Sequence, residues 1–280
     1  MSVTIIVPTY RPTEETISLV RELSTMGAEC LVSDDASPCT SDPTLSEIAR
    51  FAPVIRHREN AGIARALNDG LRAAQVSGHE WLLTFDQDST PATEYIEEIV
   101  RFAHGLPENH SVGAIGARII KTPGGEIGYP EKENGSLLTT HEVFQSGTLW
   151  RVKPMLAVGG FDETLGMDAV DAAACVRLRR GGFLIALVPD LTLRHAWGES
   201  ELINVPGRTV AITHHSPERR RTMVRNRLRL APEEFRESPV HGARTIRRLA
   251  VGTVLAVTRE NQRAAKLRAT LAGLRDSRSR

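Results

Sequence analysis

The chain has 280 residues, a formal net charge of +1, 41% hydrophobic residues and 25% charged residues. This length and composition are those of a globular protein with one large α/β domain and an appendage, or with two small domains. Its cysteines, Cys30, Cys39 and Cys175, are too few and too scattered for a disulfide framework or a zinc site, so a reducing cytoplasm is the expected setting. The sequence contains no run of about 18–20 apolar residues, as a membrane span would need, and MSVTIIVPTY predicts a first strand rather than a signal peptide.

Charge is distributed unevenly along the chain. Residues 219–280 contain 17 Lys and Arg against 5 Asp and Glu, which leaves 18 against 29 in residues 1–218. We therefore expect the two parts of the chain to face different partners.

Short β-branched runs alternate with helical patterns through the first 110 residues. The expected strands are VTIIVPT, ECLVSDD, VIRHREN and EWLLTFDQD, and the helices between them are RPTEETISLVRELSTMG, TLSEIARFA and GIARALNDGLRAAQVSG. Repeated βα units predict an α/β fold with a parallel, doubly wound sheet and right-handed crossovers.

The pattern is less regular after residue 110. VGAIGARII and VFQSGTLWR predict strands, and KTPGGEIGYPEKENGS between them predicts a hairpin or a mobile loop. DAVDAAACVRLRRGG predicts a short helix, and FLIALVPDLTLRHAWGES predicts a strand pair that runs into a histidine-containing loop. The basic tail, residues 219–280, has apolar residues interleaved with Arg and predicts amphipathic helices.

Polar residues follow each of the first four predicted strands, in PTYR, SDDAS, RENAG and FDQDST. Ligands of such sheets bind beyond the carboxyl ends of the strands. Asp86 and Asp88 offer hard oxygen ligands suited to Mg²⁺ or Mn²⁺, and a metal there can bridge a diphosphate leaving group. The glycine-bearing helix start ENAGIARALN offers backbone N–H groups to phosphate. The alternative for the two carboxylates is a solvated turn.

The ordered set VTIIVPTYR, LVSDDAS, NAGIARALNDGL, LLTFDQDST, FQSGTLWR, GGFDETLGMDAVDAAACVRLRRGG and LRHAWGE resembles the family-2 glycosyltransferases of the GT-A fold, over roughly residues 3–230. The DQDS form, the late HxxGE and the following RRRTMVRNRLRL are most similar to the bacterial rhamnosyltransferase branch. The resemblance implies a mostly parallel twisted sheet flanked by helices. It divides the chain into a nucleotide-sugar-binding half (1–110), an acceptor-binding and catalytic half of the same domain (111–218) and a basic amphipathic helical tail (219–280).

The resemblance also implies a nucleotide-sugar donor and a divalent metal, Mg²⁺ or Mn²⁺. Asp86 and Asp88 become the metal motif, with Asp88 the more direct ligand and Asp86 closer to the ribose or donor sugar. His195 in RHAWGE then closes over the diphosphate and completes the metal site. Either Asp34 or Asp35 accepts a hydrogen bond from the imide N–H of thymine or uracil, and the other caps its own loop. The remaining donor-binding positions are Pro8, Thr9, Tyr10, Asn60, Gly62, Arg65, Asn68 and Gln87, of which Tyr10 has a plain turn and Arg65 an exposed helix charge as alternative roles.

Inverting transfer needs a general base that deprotonates the acceptor hydroxyl. By alignment on Arg177, Asp171 falls at the family's catalytic position, with Asp168 as a supporting or acceptor-binding carboxylate. At spacing i and i+3 the two acids are expected to share one helix face. Many relatives carry another acid two residues after the base, whereas this chain has Ala173, a departure that concerns acceptor recognition. The resemblance assigns Gln145, Ser146 and Gly147 to the acceptor-side strand end.

The leading hypothesis is a hexosyltransferase of polysaccharide biosynthesis that moves a deoxyhexose, L-rhamnose from dTDP-L-rhamnose, to a hydroxyl of a cell-envelope glycan or lipid-linked intermediate. The alternatives are a UDP-sugar transferase (galactofuranose or GlcNAc) and a non-catalytic nucleotide- or glycan-binding member. The basic tail suits an anionic membrane surface, which favours peripheral attachment to the inner face of the cell membrane. A helical pair packed on the catalytic domain, or on a second copy in a homodimer, is the alternative. Nucleic-acid binding is not expected, because no recognisable module is present and aromatic residues are few.

Overall fold

The computed structural model describes residues 2–122, 125–194, 201–205, 208–212 and 214–278. They fall into two compact units, of which the first comprises Met1–Lys121, Glu126–Gly166 and Val170–His195 and the second Thr122–Gly125, Met167–Ala169 and Ala196–Arg280. The strands in the described residues are β1 (Val3–Thr9), β2 (Glu29–Asp34), β3 (Val54–Arg56), β4 (Trp81–Thr84), β5 (Val112–Thr122), β6 (Gly125–Gly128), β7 (Glu131–Asn134), β8 (Leu137–Thr140), β9 (Thr148–Arg151), β10 (Leu184–Arg194), β11 (Glu201–Val205) and β12 (Arg208–Ile212). The α-helices there are α1 (Glu14–Ser24), α2 (Asp42–Ile48), α3 (Ile63–Val76), α4 (Thr93–His104), α5 (Val152–Ala157), α6 (Val170–Arg180), α7 (Pro217–Glu237), α8 (Pro239–Thr258) and α9 (Arg263–Asp276).

The first unit is built on a mixed sheet with the strand order β3-β2-β1-β4-β9-β5-β10-β8-β7, and β6 pairs with β5. Strands β1 to β4 run parallel, as the βα alternation predicts, and β5 runs parallel to β10. Strand β9 is antiparallel to both β4 and β5 and joins the two parallel parts into one sheet. The α/β fold predicted from the sequence is therefore confirmed.

Apolar runs place the central strands in the core. All seven residues of β1 and all four of β4 are buried, as expected for strands covered on both faces. Helix α3 packs closely on β1 because Gly70 has no side chain: a Cβ there would lie 2.7 Å from the Cβ of Ile6. A glycine inside a helix costs about 1 kcal/mol of helix stability, which this close packing offsets.

Several sequence predictions differ from the structure in their extent: the strand predicted over EWLLTFDQD covers only Trp81–Thr84, and the one over VFQSGTLWR covers only Thr148–Arg151. The strand predicted over VIRHREN covers only Val54–Arg56. The strand pair predicted over FLIALVPDLTLRHAWGES is wrong within the described residues: Leu184–Arg194 is one strand, whose pairing with β5 is irregular between Val188 and Thr192. Pro189 interrupts the ladder there because it lacks an N–H donor, yet the chain does not turn back.

The second unit contains α7, α8 and α9, together with the β11–β12 hairpin. Ser216 and Ser238 cap α7 and α8, and each is followed by a proline in the first helical turn, the usual start signal of a helix. The predicted helical tail is confirmed. Among the described residues, no helix combines the length and apolar character needed to cross a membrane.

Candidate active site

The carboxyl ends of β1, β2 and β4 lie side by side in the sheet, and hydrogen bonds join the loops that follow them. Asp35 N–H donates to Thr9 O at 2.9 Å. The Gln87 amide clasps the backbone of Tyr10: its Oε1 accepts from Tyr10 N at 2.9 Å and its Nε2 donates to Tyr10 O at 3.2 Å. Tyr10 itself is 40% exposed. Pro8 lies past the last residue pair of β1 with β4, so its missing N–H costs no bond to that strand.

The two adjacent acids after β2 have different environments. Asp34 is fully buried, and its carboxylate accepts from the N–H of Ser37 at 3.0 Å and from the Ser37 hydroxyl at 2.5 Å. It therefore caps its own loop. The Asp35 carboxylate instead faces the loop before α3, where it accepts from Ala61 N and Gly62 N, both at 2.8 Å.

The turn after β4 carries the Asp-Gln-Asp sequence. Asp88 is exposed and Asp86 is partly buried. Asp86 N–H donates to Ser146 Oγ at 3.1 Å, and Ser146 Oγ lies 2.6 Å from Ser89 Oγ. Because β9 runs antiparallel to β4, the residues that precede β9 lie at the carboxyl end of β4. The predicted acceptor-side residue Ser146 is thus in contact with the predicted metal motif.

The loop before α3 connects the Asp35 carboxylate to a second loop. Asn60 Nδ2 donates to Asp35 O at 3.2 Å. Gly62 has a φ of +90°, and a Cβ at this position would lie 2.3 Å from Gly166 O. Only glycine fits such a conformation next to a backbone. Arg65 lies 3.9 Å from Glu59 in a surface ion pair, which contributes little to stability.

The Asn68 side chain forms hydrogen bonds with other residues of the protein. Its Oδ1 accepts from Phe161 N at 2.9 Å, and its Nδ2 donates to Phe161 O at 2.9 Å and to Glu163 Oε1 at 2.8 Å. The side chain therefore supports the loop that leads to Gly166. Its predicted contact with the nucleotide stays a prediction.

Asp171 lies in the first turn of α6, where a negative charge is favoured by the helix dipole. Its Oδ1 accepts from Ala172 N at 2.8 Å. The residues that follow, Ala172 to Cys175, are all buried. Burial raises the pKa of the nearby Tyr129 hydroxyl well above its usual value, and the Asp171 carboxylate contributes in the same direction.

Asp168 does not share a helix face with Asp171, and that prediction is wrong because α6 begins only at Val170. Arg219 Nε donates to Asp168 Oδ1 at 3.3 Å, and Asn226 Nδ2 donates to Asp168 O at 2.7 Å. Burial raises the pKa of Asp168, against the lowering effect of Arg219. Within the second unit, Asp168 is therefore bound to α7.

The predicted metal ligand His195 lies outside the described residues. The sequence did not predict several side chains that form hydrogen bonds with the site residues or with each other. For Ser37 the sequence offered only a general signal, since Asp and Ser side chains commonly form local hydrogen bonds in turns. His57 and Asp69 had none, because one was assigned to a strand and the other to a helix face.

An α/β sheet with polar loops joined at its carboxyl edge and an acid at the start of a later helix is the arrangement of a GT-A glycosyltransferase. The family model "Glycosyl transferase family 2" matches residues 4–151, more than half of the chain. The chain belongs to this family, and it is a nucleotide-sugar glycosyltransferase.

One relative is similar to this chain in sequence over most of both proteins, and several solved structures are similar in fold. The dTDP-rhamnosyl transferase RfbF of Shigella flexneri is 29% identical over 236 residues, which cover 79% of this chain and 77% of that protein. The crystal structure of S. aureus TarS 1-349 in complex with UDP-GlcNAc has a TM-score of 0.59 and 18% identity, and covers 99% of this chain and 80% of that one. The structure of GalNAc-T7 with UDP, GalNAc and Mn²⁺ has a TM-score of 0.53 and 12% identity, over 80% and 47% of the two chains. This chain spans 44% of the longer TarS structure. At these identities the solved structures establish the fold alone.

Proposed function

We propose that the chain transfers L-rhamnose from dTDP-L-rhamnose, with inversion, to a hydroxyl of a cell-envelope glycan or a lipid-linked intermediate. The observation that carries the donor assignment is the similarity to a dTDP-rhamnosyl transferase over most of both chains. In this proposal residues 1–110 bind the donor, residues 111–218 bind the acceptor and supply the base, and residues 219–280 form an accessory tail.

Asp35 is the better candidate for reading the base of the nucleotide. A carboxylate has about four lone-pair sites. On Asp35 three are engaged, by Ala61 N, by Gly62 N and by the His57 ring at 3.2 Å, which leaves one on Oδ2 for an imide N–H. Asp34 is fully buried and bonded to its own loop. The exposed ring of Tyr10 would lie against the base.

The residues present fit a divalent cation. Asp86 and Asp88 supply two carboxylates at an open turn, one partly buried and one exposed, which is a hard-oxygen donor set with room for further ligands. His195 is the proposed third ligand. Bound Mg²⁺ or Mn²⁺ would neutralise the diphosphate as it leaves. The Ser146 contact to Asp86 N–H holds the turn in place.

Asp171 is the proposed general base. It would take the proton from the acceptor hydroxyl as that oxygen attacks the anomeric carbon and the bond to the diphosphate breaks. Ala173 offers no second carboxylate, so acceptor recognition in this chain would depend on other residues. Asp168, bonded to Arg219, has a supporting role.

The test is transfer and nucleoside diphosphate release with dTDP-L-rhamnose, UDP-galactofuranose and UDP-GlcNAc, each with Mg²⁺ and with EDTA. We expect dTDP-L-rhamnose to be preferred and EDTA to abolish turnover. Asp171→Asn should lower kcat by a factor of about 10²–10⁴, the usual contribution of a general base. Asp88→Asn should remove the response to metal, whereas Glu97→Gln, an exposed acid on α4, should behave as wild type. A wild-type preference for a UDP-sugar would refute the donor assignment.

For the tail, we propose contact with an anionic membrane surface. Leu267, Leu271 and Leu274 on α9 are 46%, 54% and 42% exposed, and their spacing places them on one helix face. Arg268 and Arg275, each next to one of these leucines in sequence, are exposed as well. The exposed leucines offer an apolar contact, and the neighbouring arginines an electrostatic one, to a surface of anionic lipid.

Flotation with vesicles tests the tail. Wild type should float with phosphatidylglycerol vesicles and not with phosphatidylcholine vesicles. The triple variant Leu267→Gln, Leu271→Gln, Leu274→Gln should not float. The control is Val76→Gln, which removes an apolar residue that is 88% exposed in the first unit. A dimer in sedimentation that the triple variant splits, without flotation of wild type, would assign the stripe to a second copy and overturn the membrane proposal.

A further inference from the structure

A buried histidine links two carboxylates behind residues 60–62, the loop that precedes α3 and is called the donor-side loop below. The His57 side chain is 5% exposed and lies between Asp35 and Asp69, whose side chains are 8% and 11% exposed. His57 Nδ1 is 3.2 Å from Asp35 Oδ1, and its Nε2 is 2.7 Å from Asp69 Oδ2. Since each ring nitrogen faces a carboxylate oxygen, both nitrogens act as donors when the ring is the imidazolium.

Asp69 is held from three sides. The Ser33 hydroxyl donates to Asp69 Oδ2 at 2.6 Å and Arg72 donates to Oδ1 at 2.5 Å, in addition to the contact with His57. Burial raises the pKa of Asp69, but the hydrogen bonds from Ser33, His57 and Arg72 outweigh it and bring the pKa below the usual value. The carboxylate is therefore a fixed, ionised anchor for one side of the histidine ring.

On its other side the His57 ring contacts Asp35, which forms hydrogen bonds with the donor-side loop. Asp35 holds the N–H groups of Ala61 and Gly62 through its carboxylate and the Asn60 amide through its backbone oxygen. The Nδ1 contact occupies the second lone pair of Asp35 Oδ1. A rotation of that carboxylate would turn Oδ2 away from the donor and release both backbone N–H groups.

We propose that His57 is a positioning residue for donor binding: braced by Asp69, it fixes the Asp35 carboxylate in the orientation that caps the Ala61–Gly62 loop and meets the nucleotide. The inference rests on the proposed role of Asp35. In this proposal His57 does not contact the donor and affects donor binding only through its Nδ1 contact with Asp35.

Two substitutions separate the two ring nitrogens. In His57→Asn the side-chain amide nitrogen takes the place of Nδ1 and still donates to Asp35. In His57→Gln the amide nitrogen takes the place of Nε2 and donates only to Asp69. Both variants replace the imidazole ring with a side-chain amide, so their unfolding temperatures without ligand should fall together, whereas their donor affinities should differ.

The experiment measures binding of dTDP, UDP and GDP by calorimetry with Mg²⁺, and donor KM and kcat with the sugar donor of whichever nucleotide wild type binds best. His57→Gln should raise the nucleotide Kd and the donor KM about tenfold with kcat within twofold, since a hydrogen bond to a charged group contributes about 1.5 kcal/mol. His57→Asn should stay within threefold of wild type. Equal Kd values for the two variants would overturn the proposal.

Failure of the proposed function has a separate signature, because it appears in wild type as preferential binding of UDP or GDP. If both histidine variants unfold at the assay temperature, Asp69→Asn replaces them in the experiment. Asparagine has the same shape as aspartate but removes the negative charge next to His57 Nε2. A raised donor KM at unchanged kcat supports the proposal, and a wild-type KM overturns it.

Discussion

Gly62 offers the sharpest test of how the donor-side loop is built. Replacing it with alanine places a Cβ 2.3 Å from Gly166 O and 2.6 Å from Gly166 C and Cα. All three are backbone atoms, so no side-chain rotation relieves the clash. An ordinary contact of 3.4 Å requires a movement of about 1 Å between the two loops.

The cost has two parts that a control separates. Gly78 also has a positive φ, +68°, but a Cβ there meets nothing within 4 Å. Gly78→Ala should therefore show only the conformational penalty, about 1–2 kcal/mol. Gly62→Ala should cost more on both counts. Its φ of +90° and ψ of +167° lie in a region used almost only by glycine, at about 1–3 kcal/mol, and the clash adds an overpacking cost of about 1–3 kcal/mol, for a total of about 2–6 kcal/mol.

Urea unfolding measures these costs, and transferase kinetics measure the functional effect. Gly166 lies five positions before Asp171, and a misplacement of about 1 Å in such a site can cost about 10²-fold in rate. We expect Gly62→Ala to lose about this factor in kcat/KM and Gly78→Ala to keep wild-type kinetics. If Gly62→Ala unfolds at the same urea concentration as Gly78→Ala and retains activity, the close contact between the two loops is wrong.

Three further predictions concern the interior polar groups. Asn68→Leu should lower the free energy of unfolding by about 2–3 kcal/mol, because its amide makes two hydrogen bonds to the backbone of Phe161; a raised donor KM with full stability would point to direct donor binding instead of this supporting role. Burial lowers the pKa of His215 to about 4, so the unfolded chain binds more protons between that value and about 6.5. Stability should fall as pH drops through this window, by roughly 2–3 kcal/mol after a discount for the partial exposure of the ring. His215→Asn should flatten this pH slope in urea titrations, and an unchanged slope would contradict the assignment. Lys266→Met leaves the buried carboxylate of Glu260 without its partner and should cost about 3–5 kcal/mol, most of it recovered in the double variant with Glu260→Met; equal stabilities of the single and double variants would argue against the pair.

The sequence predicted the elements whose causes are local. Alternating apolar runs and helix start signals predicted β1 to β4 and α1 to α3, although β3 and β4 are shorter than predicted. The polar residues after β1, β2 and β4 do meet at one edge of the sheet. The proposed role of Asp171 came from family resemblance, because no local pattern distinguishes a general base from a helix N-terminal acid.

Long-range partnerships were not predictable in the same way. Asn68 bonds a residue 93 positions away, and Asp168 is bound by Arg219, 51 positions later. Such contacts depend on how loops meet after folding. The local sequence around a polar side chain is the same whether or not the side chain makes such a contact, so the sequence does not predict it. The insertion of β9 between β4 and β5 is a further example, since a four-residue strand carries no mark of its neighbours.

The place of β9 in the sheet sets a limit on how donor preference can be exchanged between related transferases. A chimera joined near residue 110 would take β4 and its Asp-Gln-Asp turn from one parent and Ser146 and the adjoining strand from the other. The Asp-Gln-Asp turn would then contact a segment from the other parent, at the hydrogen bond between Asp86 N–H and Ser146 Oγ that holds the turn in place. Junctions placed after Arg151 keep β4 with its native antiparallel partner, and they are the rational choice for grafting sugar specificity.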